Sequence, residues 1–596
     1  MKYKSIKIRN SLTGFTLIET LIGITIFAIL ATFTYSAYSN ITNIISQIKL
    51  RSQAISILNN EIEIMRNIPY QDIGIQGGSP SGIILAEQTI YFGNIPFLLK
   101  TTIRNIDDPF DGIIGGSPND MTPADYKFVE LEISSPSRSY YYKPVKLATT
   151  FAPKNLETAT NNGALFVNVF DAFGQPVKNA NVSIINNQLN PLISINDSTN
   201  NDGILQLVDI PTSTNAYEIK ATKGGYSSAQ TYPIGAPENP NPIVSHATVV
   251  SQQVTNASFA IDKVSNIDFK TVNAMCQPVP NVSFSLNGAK LIGQNPDVLK
   301  YSKFLDTGLE GIKNITNLEW DTYDFSNLDA NYDLSGYYPF SPIVLNPNSS
   351  VYMSWLMTPK NPSALLITVQ DVNNQLINDV SVKLAKTGFE QILYSGRRSF
   401  FQTDWSNNQY SSQSGDVDAD SNPGEMKLKI IDDQYPTSTP NWLISSTFDL
   451  GVQAVNFYNL SWQPANQPPE TEPDSLLFQI AANNDNTTWN FLGPDGAPDS
   501  FYSASDTQIY SGHDNNRYLR YKVFLKTANE NFTPTLDEIR IDFHSSCVPD
   551  GQVFFNGLAN EIYSLIVEKS GYQTFTNPNL SVSQNWQEYK ITLQNQ

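Results

Sequence analysis

One carboxylate, Glu19, stands inside an apolar run that opens at Phe15 and continues to about Tyr38. An acid within a membrane-length helix costs about 2–3 kcal/mol at the helix centre and less near its end, so a compensating partner is expected. Upstream lies MKYKSIKIRNSLTG, residues Met1 to Gly14, with Lys2, Lys4, Lys7 and Arg9 and no acid. This order reads as a basic segment retained in the cytoplasm, followed by a membrane helix. No small-residue cleavage site of the ordinary secretory type follows the apolar stretch, so the helix should stay with the mature protein.

Elsewhere, residues capable of chemistry are sparse. The chain has two cysteines, Cys276 and Cys547, and three histidines, His246, His513 and His544, which leaves few nucleophiles, zinc ligands or neutral-pH bases. No Gly-rich phosphate loop, zinc-ligand spacing or nucleophile elbow occurs, so the expectation is a protein that is not an enzyme and needs no cofactor. Asp416, Asp418 and Asp420 alternate in GDVDADSNPGE. Such oxygens suit calcium, yet the stretch lacks the glycine and glutamate of an EF-hand loop, and a solvated acidic loop is the simpler reading. Cys276 and Cys547 read either as one disulfide or as two separate thiols, and their distance in sequence favours the second.

The N-terminal residues as a set, a short basic leader, Gly14 and then Phe15-Thr-Leu-Ile-Glu19 opening an apolar helix, resemble the class III signal of type IV prepilins and pseudopilins. The resemblance implies that a prepilin peptidase cuts between Gly14 and Phe15 and N-methylates Phe15. It also implies that Glu19 pairs with the N-terminal amine of a neighbouring subunit during filament assembly, which supplies the partner that a buried carboxylate requires. A plain signal anchor, with Gly14 and Glu19 accidental, is the competing interpretation.

Beyond the apolar run, Ile41, Ile44, Ile45, Ile48, Ile55, Leu58, Ile62 and Met65 continue a helical stripe that stops near Asn67-Ile68-Pro69. The pattern predicts one helix of roughly 52 residues, with its first half among lipids or other helices and its second half on a globular head. The head is expected to be a small antiparallel sheet, from alternating runs such as YKFVELEI (Tyr126 to Ile133) and YKPVKLATTF (Tyr142 to Phe151).

After Pro153 the signals are those of strands and turns. DAFGQPVKNANVS, NAMCQPVPNVSFS and DVNNQLINDVSVK begin at Asp171, Asn273 and Asp371, placing Gln175, Gln277 and Gln375 at equivalent turn positions. The simple interpretation of these glutamines is that they satisfy backbone groups in the turn. A tyrosine followed by Gly-Tyr recurs at Tyr217, Gly225-Tyr226 and at Tyr563, Gly571-Tyr572. Gln175 and Gly225 are 50 residues apart whereas Gln375 and Gly571 are 196 apart, which points to a domain inserted at a loop of the last repeat. The repeats resemble carboxypeptidase regulatory-like sandwiches. The insert, with NRYLRYKVFLKT and TPTLDEIRIDF, resembles a discoidin-like or galactose-binding-like jelly roll. Its Trp405, Trp442, Trp462 and Trp489 read as core more readily than as sugar platforms.

The expected fold class is therefore an α+β pilin-like module, a long α-helix plus an antiparallel sheet, followed by several all-β sandwich domains. The expected division is a leader at 1–14, the helix at 15–67 and a head at 68–158. Sandwiches follow at 159–262, 263–360 and 361–398 with 544–596, and the jelly roll occupies 399–543. With 56 acidic against 37 basic residues and a net charge of −19, the chain repels phosphate backbones, and nucleic acid is not an expected partner. The functional expectation is a minor pilin or pseudopilin, a structural subunit of a type IV pilus-like filament. Its partners would be the prepilin peptidase/methyltransferase, the membrane and other pilin subunits, and its destination would be the cell surface after a single-pass membrane stage with a cytoplasmic N-terminus. The alternatives are a pilus-borne adhesin with a glycan or surface ligand at the jelly roll, or a pseudopilin of a type II secretion-like or DNA-uptake system.

Overall fold

Leu17 to Arg66 form one helix, α1, of 50 residues, about 75 Å long at 1.5 Å per residue. It ends where Pro69 disfavours helical geometry at Ile68, and the Asn67 side chain caps the end by donating to the Glu63 carbonyl at 2.8 Å. The computed structural model describes residues 17–136, 142–154, 160–407, 409–437, 441–452 and 455–596. They divide into two compact units, residues up to 262 with 292–298, and 263–291 with 299–596.

In the first unit, strands β1 (Glu87–Phe92), β2 (Ile95–Ile106), β3 (Tyr126–Ser134) and β4 (Val145–Phe151) pair antiparallel in that order. Burial alternates along β2 and β3, as the period of two requires when one face is covered. The cover is the lower part of α1: Leu50, Ala54, Ile57, Leu58, Ile62 and Met65 pack with Phe97, Leu99, Ile103, Val129, Leu131 and Ile133. Here the expected stripe needs correction. Ile41, Ile44, Ile45, Ile48 and Ile55 are exposed, because the sheet reaches up the helix only to Leu50, and Ile55 points away from it.

The rest of this unit consists of β5 (Gly163–Phe170), β6 (Asn181–Asn186), β7 (Ile193–Ser198), β8 (Ile204–Ile210), β9 (Ser213–Thr222), β10 (Ala229–Gln230), β11 (Ala247–Val249) and β12 (Val254–Ala260). They make one sheet in the order β12-β5-β8 and a facing sheet β10-β9-β6-β7, with β11 on β9. Val167, Val182, Ile184, Leu205, Tyr217 and Ile219 fill the space between them.

The second unit holds sheets of similar design. Ser265–Val272 and Ser283–Gly288 lie in two facing four-stranded sheets built from residues 265–359. Ala364–Asp371 pairs with Gln552–Phe555 and Trp586–Leu593, and Ser381–Lys386 with Phe389–Tyr394 and Ile562–Glu568. Strands between Arg398 and His544 form separate sheets around Trp405, Trp462, Phe478, Tyr521 and Phe543.

Three devices recur. First and last strands run parallel as β5 with β12, Ser265–Val272 with Ser350–Pro359, and Ala364–Asp371 with Trp586–Leu593. Tyr217, Tyr323 and Tyr563 each donate a hydroxyl to a carbonyl a few residues upstream, those of Pro211, Glu319 and Ala559, which pins the turn before each strand. In the repeated turn, the side-chain oxygens of Asp171, Asn273 and Asp371 accept the backbone N–H groups of Gln175, Gln277 and Gln375 at 2.8–3.0 Å. The short Asx side chain reaches these amides, so the turn is organised by its first residue and the glutamine side chain is not what satisfies it.

Candidate functional site

Between Leu17 and Tyr38 the helix presents an apolar surface all round. Leu17 is 84% and Phe27 72% exposed, and Ile24, Leu30, Phe33 and Tyr38 are similarly uncovered. It is long and apolar enough to cross a membrane, and none of its apolar window is buried inside the described structure. Burying each such side chain stabilises by roughly 1.5–3 kcal/mol, so a dozen of them create a strong drive toward lipid or other helices. The hydroxyls in this segment are adapted to that environment. Thr20, Thr25, Thr32 and Thr34 each donate to a carbonyl three or four residues back, all at 2.8 Å, so these four threonine hydroxyls enter an apolar medium already satisfied.

Glu19 sits in the first turn of α1 and is exposed, where the partial positive charge of the helix N-terminus favours a carboxylate. Gly14 and Phe15, the expected processing residues, lie outside the described residues.

At its other end the helix is held to a rigid base. Lys127 on β3 is buried, and its Nζ donates to the carbonyls of Tyr70 at 2.8 Å and Ile73 at 2.6 Å, fastening the chain that leaves α1 to the sheet. Burial pushes this ammonium down to about 8, against the pull of Asp209 and Asp72. One residue on from Ile103, and so on the opposite face of β2, Arg104 forms a two-pronged ion pair with Asp197 of β7. Asp209, near the end of β8, accepts from Thr160 Oγ1 at 2.6 Å and Asn162 Nδ2 at 2.9 Å. A cleft of about 1020 Å³ runs along this joint, lined by Arg66, Tyr70, Lys127, Leu192, Asp209 and Pro211 among others. The Lys127 amine is committed to two carbonyls and serves as a strut.

The structure scatters the calcium candidates of the sequence among turns. Asp418 Oδ1 accepts the Ser421 N–H at 2.9 Å, Asp420 Oδ1 accepts from Asn407, and the Asp416 carbonyl accepts from Lys429. Among the described residues, the three acids whose oxygens come within 4.8 Å of one another are instead Asp107, Asp120 and Asp125. By local sequence alone DDPFDG, residues 107–112, reads as a turn. The signal was the recurrence of acids at both necks of one loop. The structure also corrects the preference for separate thiols: Cys276 and Cys547 form a disulfide, with Cα atoms 5.5 Å apart. Met275 packs on the core of the 398–544 sheets, which seats the turn of one repeat against that region. Of the four tryptophans, Trp405 and Trp462 are core, whereas Trp442 and Trp489 are half-buried beneath Lys522 and Arg520.

Residues 9–35 match the family described as the prokaryotic N-terminal methylation motif. The chain thus carries a prepilin-like N-terminal signal, which implies peptidase processing and assembly with pilin-like subunits. No curated protein sequence matches the chain significantly. Among solved structures, it is similar to the Bacillus anthracis TIE protein, with 13% identity, 53% of this chain and 66% of that one covered and a TM-score of 0.15. It is also similar to the shaft pilin of Lactobacillus rhamnosus GG, with 10% identity, 33% and 98% covered and a TM-score of 0.14. A minor pilin of Streptococcus agalactiae gives 15% identity, 34% and 99% covered and a TM-score of 0.15. Likenesses this low equate no residue of this chain with one of theirs.

Proposed function

From an N-terminus of the type IV prepilin class, we propose that this chain is a minor pilin or pseudopilin, a structural subunit of a pilus-like filament that displays large β domains. The observation that carries the reading is the single helix α1, bare and apolar from Leu17 to Tyr38 and packed on its own sheet from Leu50 to Met65. Cleavage after Gly14 would leave Phe15 as the first residue. The bare half would then move from the membrane into a filament core, with Glu19 meeting the amine of a neighbouring subunit's Phe15. The N-terminus begins on the cytoplasmic side and the β domains end at the cell surface. Their bulk, four β domains beyond the head by our division, suits a low-copy or tip position, since many copies would crowd a thin fibre.

The test is N-terminal mass spectrometry of the protein from membrane and sheared-filament fractions, with and without the prepilin peptidase. N-methylated Phe15 in sheared fibres, dependent on the peptidase, is the expected result. An intact Met1 confined to membranes would overturn the reading and leave a single-pass anchored surface protein.

A second reading, a filament-borne adhesin, draws on the half-buried Trp442 and Trp489 with Lys522 and Arg520 against their rings. Aromatic faces flanked by cations suit an acidic glycan. Binding of such glycans that is lost in Trp442→Ala and Trp489→Ala would support it.

A further inference from the structure

The loop joining β2 to β3 begins at Asp107 and ends at Asp125, and Asp108 N–H closes its neck on Asp125 Oδ2. Asp107 Oδ2 accepts the Ile114 N–H at 2.8 Å, and Asp120 Oδ1 accepts the Thr122 N–H at 2.8 Å. Each of these two carboxylates thereby spends one oxygen on the loop backbone. Their other oxygens, Asp107 Oδ1 and Asp120 Oδ2, are buried and accept no hydrogen bond among the described residues. Asp120 is only 7% exposed. Asp107, Asp120 and Asp125 each offer an oxygen within 4.8 Å of the others. A buried anionic oxygen without a donor is costly, and three carboxylates brought together raise that cost by mutual repulsion.

We propose that Asp107, Asp120 and Asp125 bind one calcium ion, which braces the β2–β3 loop. The donors are all oxygen, which selects a hard cation over zinc or copper. Calcium at about 2.3–2.6 Å from each oxygen bridges a 4.8 Å span, whereas magnesium at about 2.0–2.1 Å requires a tighter, near-octahedral set. The loop also carries Ile114 into a small cluster with Ala164 and Val208 of the adjoining sandwich. The ion therefore fixes a segment on which the joint between head and first sandwich depends.

The test uses the full chain in detergent, stripped with EGTA and EDTA, then dialysed against calcium chloride or magnesium chloride. Metal is counted by mass spectrometry and backbone protection is mapped by hydrogen exchange. One calcium per chain is expected, with a Kd of about 10⁻³ M or tighter, and at least tenfold slower exchange confined to residues 107–125 and the strand ends beside them. Asp107→Asn and Asp120→Asn should each weaken binding at least tenfold, whereas Asp418→Asn should not. Because a misfolded variant would also lose the ion, the wild-type exchange map is decisive by itself. No calcium retained at millimolar concentration, protection elsewhere in the chain, or protection produced only by acidification, which would mean a shared proton, overturns the site.

Discussion

Cys276 and Cys547 are bonded across a sequence separation of 271 residues. The bond joins the first turn of one sandwich to the segment where the chain returns from the 398–544 sheets, beside Ser545. A crosslink closing so long a loop removes much of the freedom of the unfolded chain. The expected stabilisation is about 2–4 kcal/mol, with ~5 kcal/mol the usual ceiling. Replacing both cysteines by serine should lower the stability of the second unit by this amount in denaturant unfolding. Equal midpoints with and without the bond would show that it stabilises nothing. Such bonds persist chiefly in oxidising compartments.

His513 lies in the inserted region, edge-on to the Tyr510 ring, with a buried Nε2 that has no hydrogen-bond partner among the described residues. Burial pushes its pKa down to about 4, from about 6.5 in an unfolded chain. Between those values the unfolded state binds the extra proton, so stability falls as pH drops from 6.5 to 4, by on the order of 3 kcal/mol. Above pH 6.5 the ring is neutral in both states and the effect is absent. His513→Gln should flatten this segment of the stability profile measured by acid-dependent unfolding, whatever its cost at pH 7.

Leu58 is 1% exposed under the head sheet, whereas Ile48, less than three turns earlier, is 63% exposed. Leu58→Ala should destabilise the head by about 2–5 kcal/mol, as cavity-forming substitutions do. Ile48→Ala should change it by less than about 0.5 kcal/mol. Hydrogen exchange of the β2 and β3 amides measures both, and equal effects would mean that the helix packs differently.

Glu19→Gln retains the shape of the side chain and removes its charge. Membrane insertion should be unchanged, since the apolar run is intact, while the amount recovered in sheared filaments should fall at least about tenfold, equivalent to ~1.4 kcal/mol of docking energy. Immunoblots of the two fractions measure this, and undiminished recovery would remove Glu19 from assembly.

What the sequence determined by itself is whatever local periodicity encodes. The helix from Leu17 to Arg66, its stop before Pro69, and strands such as Tyr126–Ser134, Tyr518–Leu525 and Glu538–His544 follow alternation and turn residues that are visible within a dozen positions. The N-terminal signal at residues 9–35 is likewise contiguous. The tertiary structure alone decided which distant segments meet. It set the parallel closure of Gly163–Phe170 on Val254–Ala260, the Cys276–Cys547 bond, the point at Leu50 where the sheet stops covering the helix, and the convergence of Asp107, Asp120 and Asp125. Each depends on how strands pair across long loops. The entropy of closing such loops varies so slowly with their length that spacing alone does not select a partner.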